Sequence, residues 1–170
     1  MTSLLARANL SSDKIDQRQA WRVRHGPLIA LLGGFAVLRL LGLLAVDTLD
    51  AWQPAVRGAL ALMFVTTGVP HFLPAFRRDF VAMVPPVLPR PELLITLTGV
   101  LELAGAAGLL VPPLAPYAAA GLALLMLAMF PANVHAARTG GTLAGKPVTP
   151  LPARTALQVL FVAAAVAAAL

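Results

Sequence analysis

Residues 92–137 read ELLITLTGVLELAGAAGLLVPPLAPYAAAGLALLMLAMFPANVHAA, and this stretch decides the fold class. It holds two apolar runs, 92–111 and 114–137, each long enough to cross a hydrocarbon core about 30 Å thick as a helix. Pro112 and Pro113 end the first helix, because proline lacks a backbone donor and restricts the residue before it. The turn is so short that the two helices must be antiparallel neighbours.

Three further apolar runs lie outside this pair, at 28–46, 55–72 and 153–170. The pattern therefore predicts an all-α transmembrane helical bundle with five crossings. Residues 1–27 form a polar tail, and the Gly/Pro-rich stretch 139–152 is expected to be a flexible loop.

The composition agrees with a membrane protein. Of 170 residues, 59% are hydrophobic and 12% charged, and the mean hydropathy is +0.83, which excludes collagen, disordered tails and soluble enzymes. The absence of cysteine excludes disulfide frameworks, thiol redox relays, iron–sulfur clusters and thiolate zinc sites. The net charge of +6 is spread between apolar runs rather than in one basic tract, so we expect lipid and not nucleic acid as the partner.

The basic residues also predict the orientation, because loops rich in Lys and Arg stay cytoplasmic. The N-terminal tail holds five, the second loop three and the fourth loop three, whereas the opposite side holds only Arg57. We therefore expect a multi-pass protein with a cytoplasmic N-terminus.

A short amphipathic helix is predicted between crossings two and three, at about 74–84. One face holds the apolar side chains Phe76, Phe80, Met83 and Val84, and the opposite face holds Arg77, Arg78 and Asp79. The favoured interpretation is an interfacial anchor whose apolar face lies at the lipid boundary. The other is a lid over a site that opens toward the cytoplasm.

Glu102 is the clearest candidate for a functional side chain, because an ionisable group at mid-depth in a bilayer is costly without a partner or a purpose. The small residues on its helical face, including Gly99 and Gly105, would let another helix approach closely. Arg39, at nearly the same predicted depth in the first run, would form a structural ion pair with Glu102. Alternatively, Glu102 stays protonated as a hydrogen-bond donor or proton carrier.

Four more polar residues are expected to extend from the cytoplasmic side toward Glu102. They are Thr67, His71, Asn133 and Gln158. These groups could simply satisfy one another between helices. The functional alternative is a cavity for a small amphipathic molecule, or a half-channel for protons. Three histidines without cysteine make a poor metal site, so we expect no metal.

Four segments together resemble the DoxX-like family of small bacterial integral membrane proteins. They are GVPHF at 68–72, FVAMVPPVLP at 80–89, TGVLELAGAAGLLVP at 98–112 and FPANVHAA at 130–137. The resemblance implies a core of four transmembrane helices with one extra N-terminal helix, in a bacterial plasma (inner) membrane. His71, Glu102 and Asn133 fit the family's pattern, and Gln158 fits it loosely.

The resemblance further implies association with membrane redox complexes. We therefore expect a non-catalytic subunit, or a bundle that binds a quinone-like molecule, with membrane or cytoplasmic redox proteins as partners and a homo-oligomer as one candidate assembly. The alternatives are a transporter-like protein for protons or a small solute, and a purely structural assembly partner. No nucleophile with a positioned base and no phosphate-binding or dinucleotide motif is found, so catalysis by this chain alone is not expected.

Overall fold

A computed structural model describes residues 25–44 and 51–170. In this part of the chain six α-helices account for most of the fold. They are α1 (His25–Leu44), α2 (Trp52–Gly68), α3 (Pro74–Met83), α4 (Pro91–Leu109), α5 (Ala115–Arg138) and α6 (Leu151–Ala169). A 3-10 turn, Val69–Phe72, continues α2.

Five of these helices are long and apolar enough to cross a membrane, so the protein is mostly helical with five candidate membrane spans, as the sequence predicts. When the 3-10 turn is counted with α2, each of the five begins and ends within three residues of the range that the hydropathy and the prolines predict. The polar tail predicted for residues 1–27 lies outside the described residues up to residue 24.

Four helices surround the core. α2 packs against α4 and α6, and α5 packs against the same two helices from the other side. The largest fully buried side chains at the centre are Leu60, Met63, Phe64 and Leu109. Because lipid tails are as apolar as these side chains, close packing between the helices, and not the hydrophobic effect, fixes the angular position of each helix in the bundle.

Small residues let α4 approach its neighbours, as the sequence predicts. A Cβ atom on Gly105 would lie 2.5 Å from Cδ2 of Leu122 on α5. A Cβ atom on Gly68 of α2 would lie 3.2 Å from Cβ of Glu102. The second contact places Glu102 at the level of the last residue of α2.

The predicted ion pair between Arg39 and Glu102 is not formed, because α1 packs in a different register. Leu38 of α1 contacts Gly58, and ten residues of α2, a rise of about 15 Å, separate Gly58 from Gly68 at the level of Glu102. Arg39 therefore lies near the opposite end of α2. The prediction that Arg39 and Glu102 lie at nearly the same depth counts residues from the membrane edge in each helix. It therefore ignores an axial shift of one helix relative to another.

The stretch expected to be a flexible loop contains a β-hairpin. Thr142 pairs with Pro147 and Leu143 with Lys146 in an antiparallel ladder. The two turn residues between the strands, Ala144 and Gly145, both have positive φ, 51° and 71°. This is the geometry of the two-residue turns that suit the twist of a hairpin.

Candidate functional site

A cavity of about 730 Å³ lies at one end of the four-helix core. Its walls come from the last turns of α2, the first half of α4, the second half of α5 and the first half of α6. α3 and the hairpin also contribute to its lining. The volume is in the range of pockets that hold small organic molecules.

The structure brings all the candidate polar residues of the four core helices to this cavity. The lining includes Thr66, Thr67, His71, Glu102, Asn133 and Gln158. Arg39, the remaining candidate, is not among the lining residues. The polar residues that the sequence predicts to extend toward Glu102 therefore line a single cavity.

His71 is held in place by the 3-10 turn and by three contacts. Its Nδ1 donates to the carbonyl oxygen of Thr67 at 2.9 Å, since a carbonyl oxygen can only accept. Its ring stacks on that of Phe80, with centroids 4.5 Å apart. A Cβ atom on Gly99 would lie 2.7 Å from Cβ of His71, so only glycine at this position of α4 leaves room for the imidazole.

Glu102 is 3% exposed, and its Oε2 has no hydrogen-bond partner among the described residues. The Nδ1 atom of His71 is 3.9 Å from that oxygen, beyond hydrogen-bond distance. A buried polar atom without a partner is uncommon in folded proteins and calls for an explanation. Glu102 is also among the residues that line the cavity, so this unsatisfied carboxyl oxygen belongs to the wall of the space that a ligand would fill.

The opposite wall carries a cation that the sequence analysis did not single out. Arg154 lines the cavity, and its Nη1 donates to Oδ1 of Asn133. One turn further along α6, Nε2 of Gln158 donates to the carbonyl oxygen of Met126 at 2.8 Å. In the sequence, Arg154 is one of the three basic residues counted for the fourth loop, but its spacing of four residues from Gln158 places both on one face of α6.

The apolar face of α3 is turned toward the cavity, which is the position that a lid over a site would have. The side chains that line the cavity here are Phe76, Phe80 and Met83 of α3 and Val84, the residue that follows it. Met83 and Val84 are buried, and Phe76 and Phe80 are half-buried. The same amphipathic pattern fits a lipid surface and a protein surface equally well, so the sequence alone could not decide.

Polar contacts hold α3 over the cavity. The guanidinium of Arg77 donates to the carbonyl oxygens of His71 and Glu92, both at 3.2 Å, and to the hydroxyl of Thr96 at 3.0 Å. On the other flank, Oδ2 of Asp79 accepts a hydrogen bond from the backbone N–H of Gly145 in the hairpin at 3.1 Å. These contacts tie α3 to the end of α2, to α4 and to the hairpin.

The remaining lining is mostly apolar, with methionine and aromatic side chains such as Met63, Phe64, Met129 and Phe161. An apolar space with a few convergent polar groups suits a ligand that has both a polar and an apolar part. Within residues 25–44 and 51–170, no three His, Cys, Asp or Glu side chains come together as metal ligands.

Comparison with known proteins gives one match. The model of a family described as "Domain of unknown function (DUF8561)" covers residues 60–169, which is more than half of the chain and includes most of the cavity lining. No curated protein and no solved structure matches the chain. The chain belongs to the DUF8561 family.

Proposed function

We propose that this protein is an integral membrane protein that binds a small amphipathic, quinone-like molecule in the cavity between α2, α4, α5 and α6. In this role it serves a bacterial membrane redox system as a non-catalytic subunit, and its polar side chains hold and orient the ligand.

The observation that carries the proposal is the unpartnered Oε2 of Glu102 at the wall of a cavity of about 730 Å³. A carboxyl oxygen kept in such a place without a hydrogen-bond partner is costly, and a ligand hydroxyl or other donor would offset that cost. His71 stands next to it with one ring nitrogen already occupied by Thr67, so its Nε2 remains as a second polar contact for the ligand.

The wider assignment rests on the resemblance to the DoxX-like family. On this proposal, α2, α4, α5 and α6 are the four-helix core that the resemblance implies, and α1 is the added helix. We place the protein in the bacterial plasma membrane with its N-terminus in the cytoplasm, because of the distribution of Lys and Arg between the loops. In that orientation the cavity lies on the cytoplasmic side, where redox partner proteins can reach it.

Proton conduction is a second candidate function, favoured by the proximity of the Glu102 carboxyl and His71. The core argues against it. Below the cavity, Leu60, Leu109 and Leu122 belong to one buried apolar cluster that fills the centre of the bundle. A proton path would need a chain of water or polar groups through this cluster, so the geometry favours binding over conduction.

A binding measurement tests the proposed function. A short-tailed benzoquinone is titrated into the purified protein in nanodiscs, with empty nanodiscs as the blank. We expect saturable binding that weakens about tenfold or more in Glu102→Gln and in His71→Ala, since each removes a polar contact in a desolvated site. Glu92→Gln and His135→Ala are matched controls, because neither residue lines the cavity.

The proposal is wrong if the quinone binds equally well to the wild type, to Glu102→Gln and to His71→Ala. Proton flux in proteoliposomes under a pH gradient, abolished by Glu102→Gln, would favour the second function instead.

A further inference from the structure

We propose that one end of the cavity, where α6 begins and α5 ends, is an oxyanion subsite in which Arg154 binds a negatively charged oxygen on the head of the ligand. We call this the shallow end. This inference rests on the proposed binding function and adds the charge and orientation of the ligand.

Arg154 is the permanent positive charge on the cavity wall, and its known contacts leave hydrogen-bond donors unused. Its Nη1 donates to Oδ1 of Asn133 and its Nε to the carbonyl oxygen of Thr149 at 3.4 Å. Both acceptors are neutral. Nη2 donates no hydrogen bond to any of the described residues. A guanidinium with free donors matches a carboxylate or an ionised hydroxyl.

No carboxylate of the described chain neutralises this cation. Within residues 25–44 and 51–170, the acidic side chains are Asp79, Glu92 and Glu102. Asp79 bonds to Gly145 in the hairpin, Glu92 is exposed at the start of α4, and Glu102 has only His71 within 4.0 Å among basic groups. A half-buried cation that faces a largely apolar cavity without a counter-ion favours an anionic ligand.

The positions of the lining residues along α5 and α6 give the orientation of the ligand in the cavity. Arg154 lies in the first turn of α6, next to Thr149, and Asn133 lies near the end of α5, so both are at the shallow end. Phe161 lies seven residues further along α6, about 10 Å deeper, among the apolar lining that includes Met63 and Phe64. An oxyanion at Arg154 would therefore extend its apolar part toward these side chains.

The test compares matched pairs of ligands that differ in charge at the head. One pair is decanoate and 1-decanol, and the other is 2-hydroxy-1,4-naphthoquinone, which ionises at its hydroxyl, and neutral 1,4-naphthoquinone. Each is titrated calorimetrically into the wild type in nanodiscs at mildly alkaline pH, with empty nanodiscs as the blank. The acyl pair and the quinone pair distinguish a fatty acid from an acidic quinone as the natural source of the oxyanion.

Two variants probe the subsite. Arg154→Gln removes the charge, and Asn133→Asp places a carboxylate of nearly the same shape on the guanidinium, so the cation is neutralised while the packing is kept. We expect the wild type to prefer the anionic member of at least one pair by about tenfold or more, and both variants to lose that preference. Arg138→Gln is the control, because Arg138 is exposed at the end of α5 and does not line the cavity.

The inference is overturned if the neutral members bind as tightly as the anions, or if Asn133→Asp and Arg154→Gln keep the wild-type preference. In that case binding of the neutral naphthoquinone still supports the proposed function. If none of the four compounds binds above the blank, both the subsite and the proposed function fail.

Discussion

The imidazole of His71 lies stacked on the ring of Phe80, with the centroids 4.5 Å apart and the planes inclined by 14°. His71 belongs to the wall of the cavity and Phe80 to the helix that covers it, so this contact joins the two. The charged contacts of Arg77 lie beside it and tie the same helix to the carbonyl oxygen of His71. The positions of α3 and of His71, the candidate ligand-binding histidine, are therefore coupled.

The attachment of α3 predicts the effect of Arg77→Gln. The substitution removes or weakens three hydrogen bonds from one guanidinium, to His71, Glu92 and Thr96. We expect amide hydrogen exchange of residues 74–83 to become about tenfold faster or more, because this helix then opens more often. Arg78→Gln is the matched control, since Arg78 is exposed and does not line the cavity. Equal exchange in both variants would show that Arg77 does not hold the helix.

The close approach of α4 to His71 predicts the effect of Gly99→Ala. The new Cβ atom would lie 2.7 Å from Cβ of His71, so the imidazole must shift and its stacking on Phe80 must loosen. We expect a loss of about 1–3 kcal/mol of stability, measured as a lower midpoint of thermal unfolding, together with weaker ligand binding.

Gly121→Ala provides the control for this experiment. Nothing lies within 4 Å of a Cβ atom at Gly121, so alanine there should leave stability unchanged or raise it by up to about 1 kcal/mol. A Gly99→Ala protein as stable as the Gly121→Ala protein would contradict the packing described for His71.

The orientation in the membrane can be tested directly, because the chain has no cysteine. Thr142→Cys places a thiol in the hairpin beside the cavity, and Pro113→Cys places one in the turn between α4 and α5 at the other end of the bundle. With a cytoplasmic N-terminus, a membrane-impermeant maleimide should label only Pro113→Cys in cells with an intact plasma membrane. Labelling of Thr142→Cys alone would reverse the orientation.

Hydropathy and proline positions were sufficient to predict the five long helices, because a helix that must bury its backbone polar groups in lipid needs a long apolar run. Helix rise also places His71, Asn133 and Gln158 near the cytoplasmic side and Glu102 nearer mid-depth, and the structure brings all four to one cavity. The axial shift of α1 relative to α2 does not follow from hydropathy, proline positions or helix rise. Arg39 lies far from Glu102 because the contact of Leu38 with Gly58 sets the register of α1.

Other features depend on tertiary contacts that a sequence pattern does not specify. The apolar face of α3 covers a cavity, although its pattern also fits a lipid surface. The turn at Ala144 and Gly145 belongs to a hairpin within a stretch whose composition suggests only a loop. Arg154 is one of the basic residues whose distribution predicts the orientation, and only the structure shows its place in the cavity wall and its contact with Asn133.

The central claim is that the cavity between α2, α4, α5 and α6 holds a small molecule, and native mass spectrometry from a gentle detergent tests it most directly. Ala132 lines the cavity, so Ala132→Trp should fill part of it. Ala120 lies on the exposed face of α5, so Ala120→Trp should leave the cavity open. We expect a bound small-molecule mass on the wild type and on Ala120→Trp that is lost from Ala132→Trp. The same bound mass on all three proteins, or no bound mass on any of them, would contradict the claim.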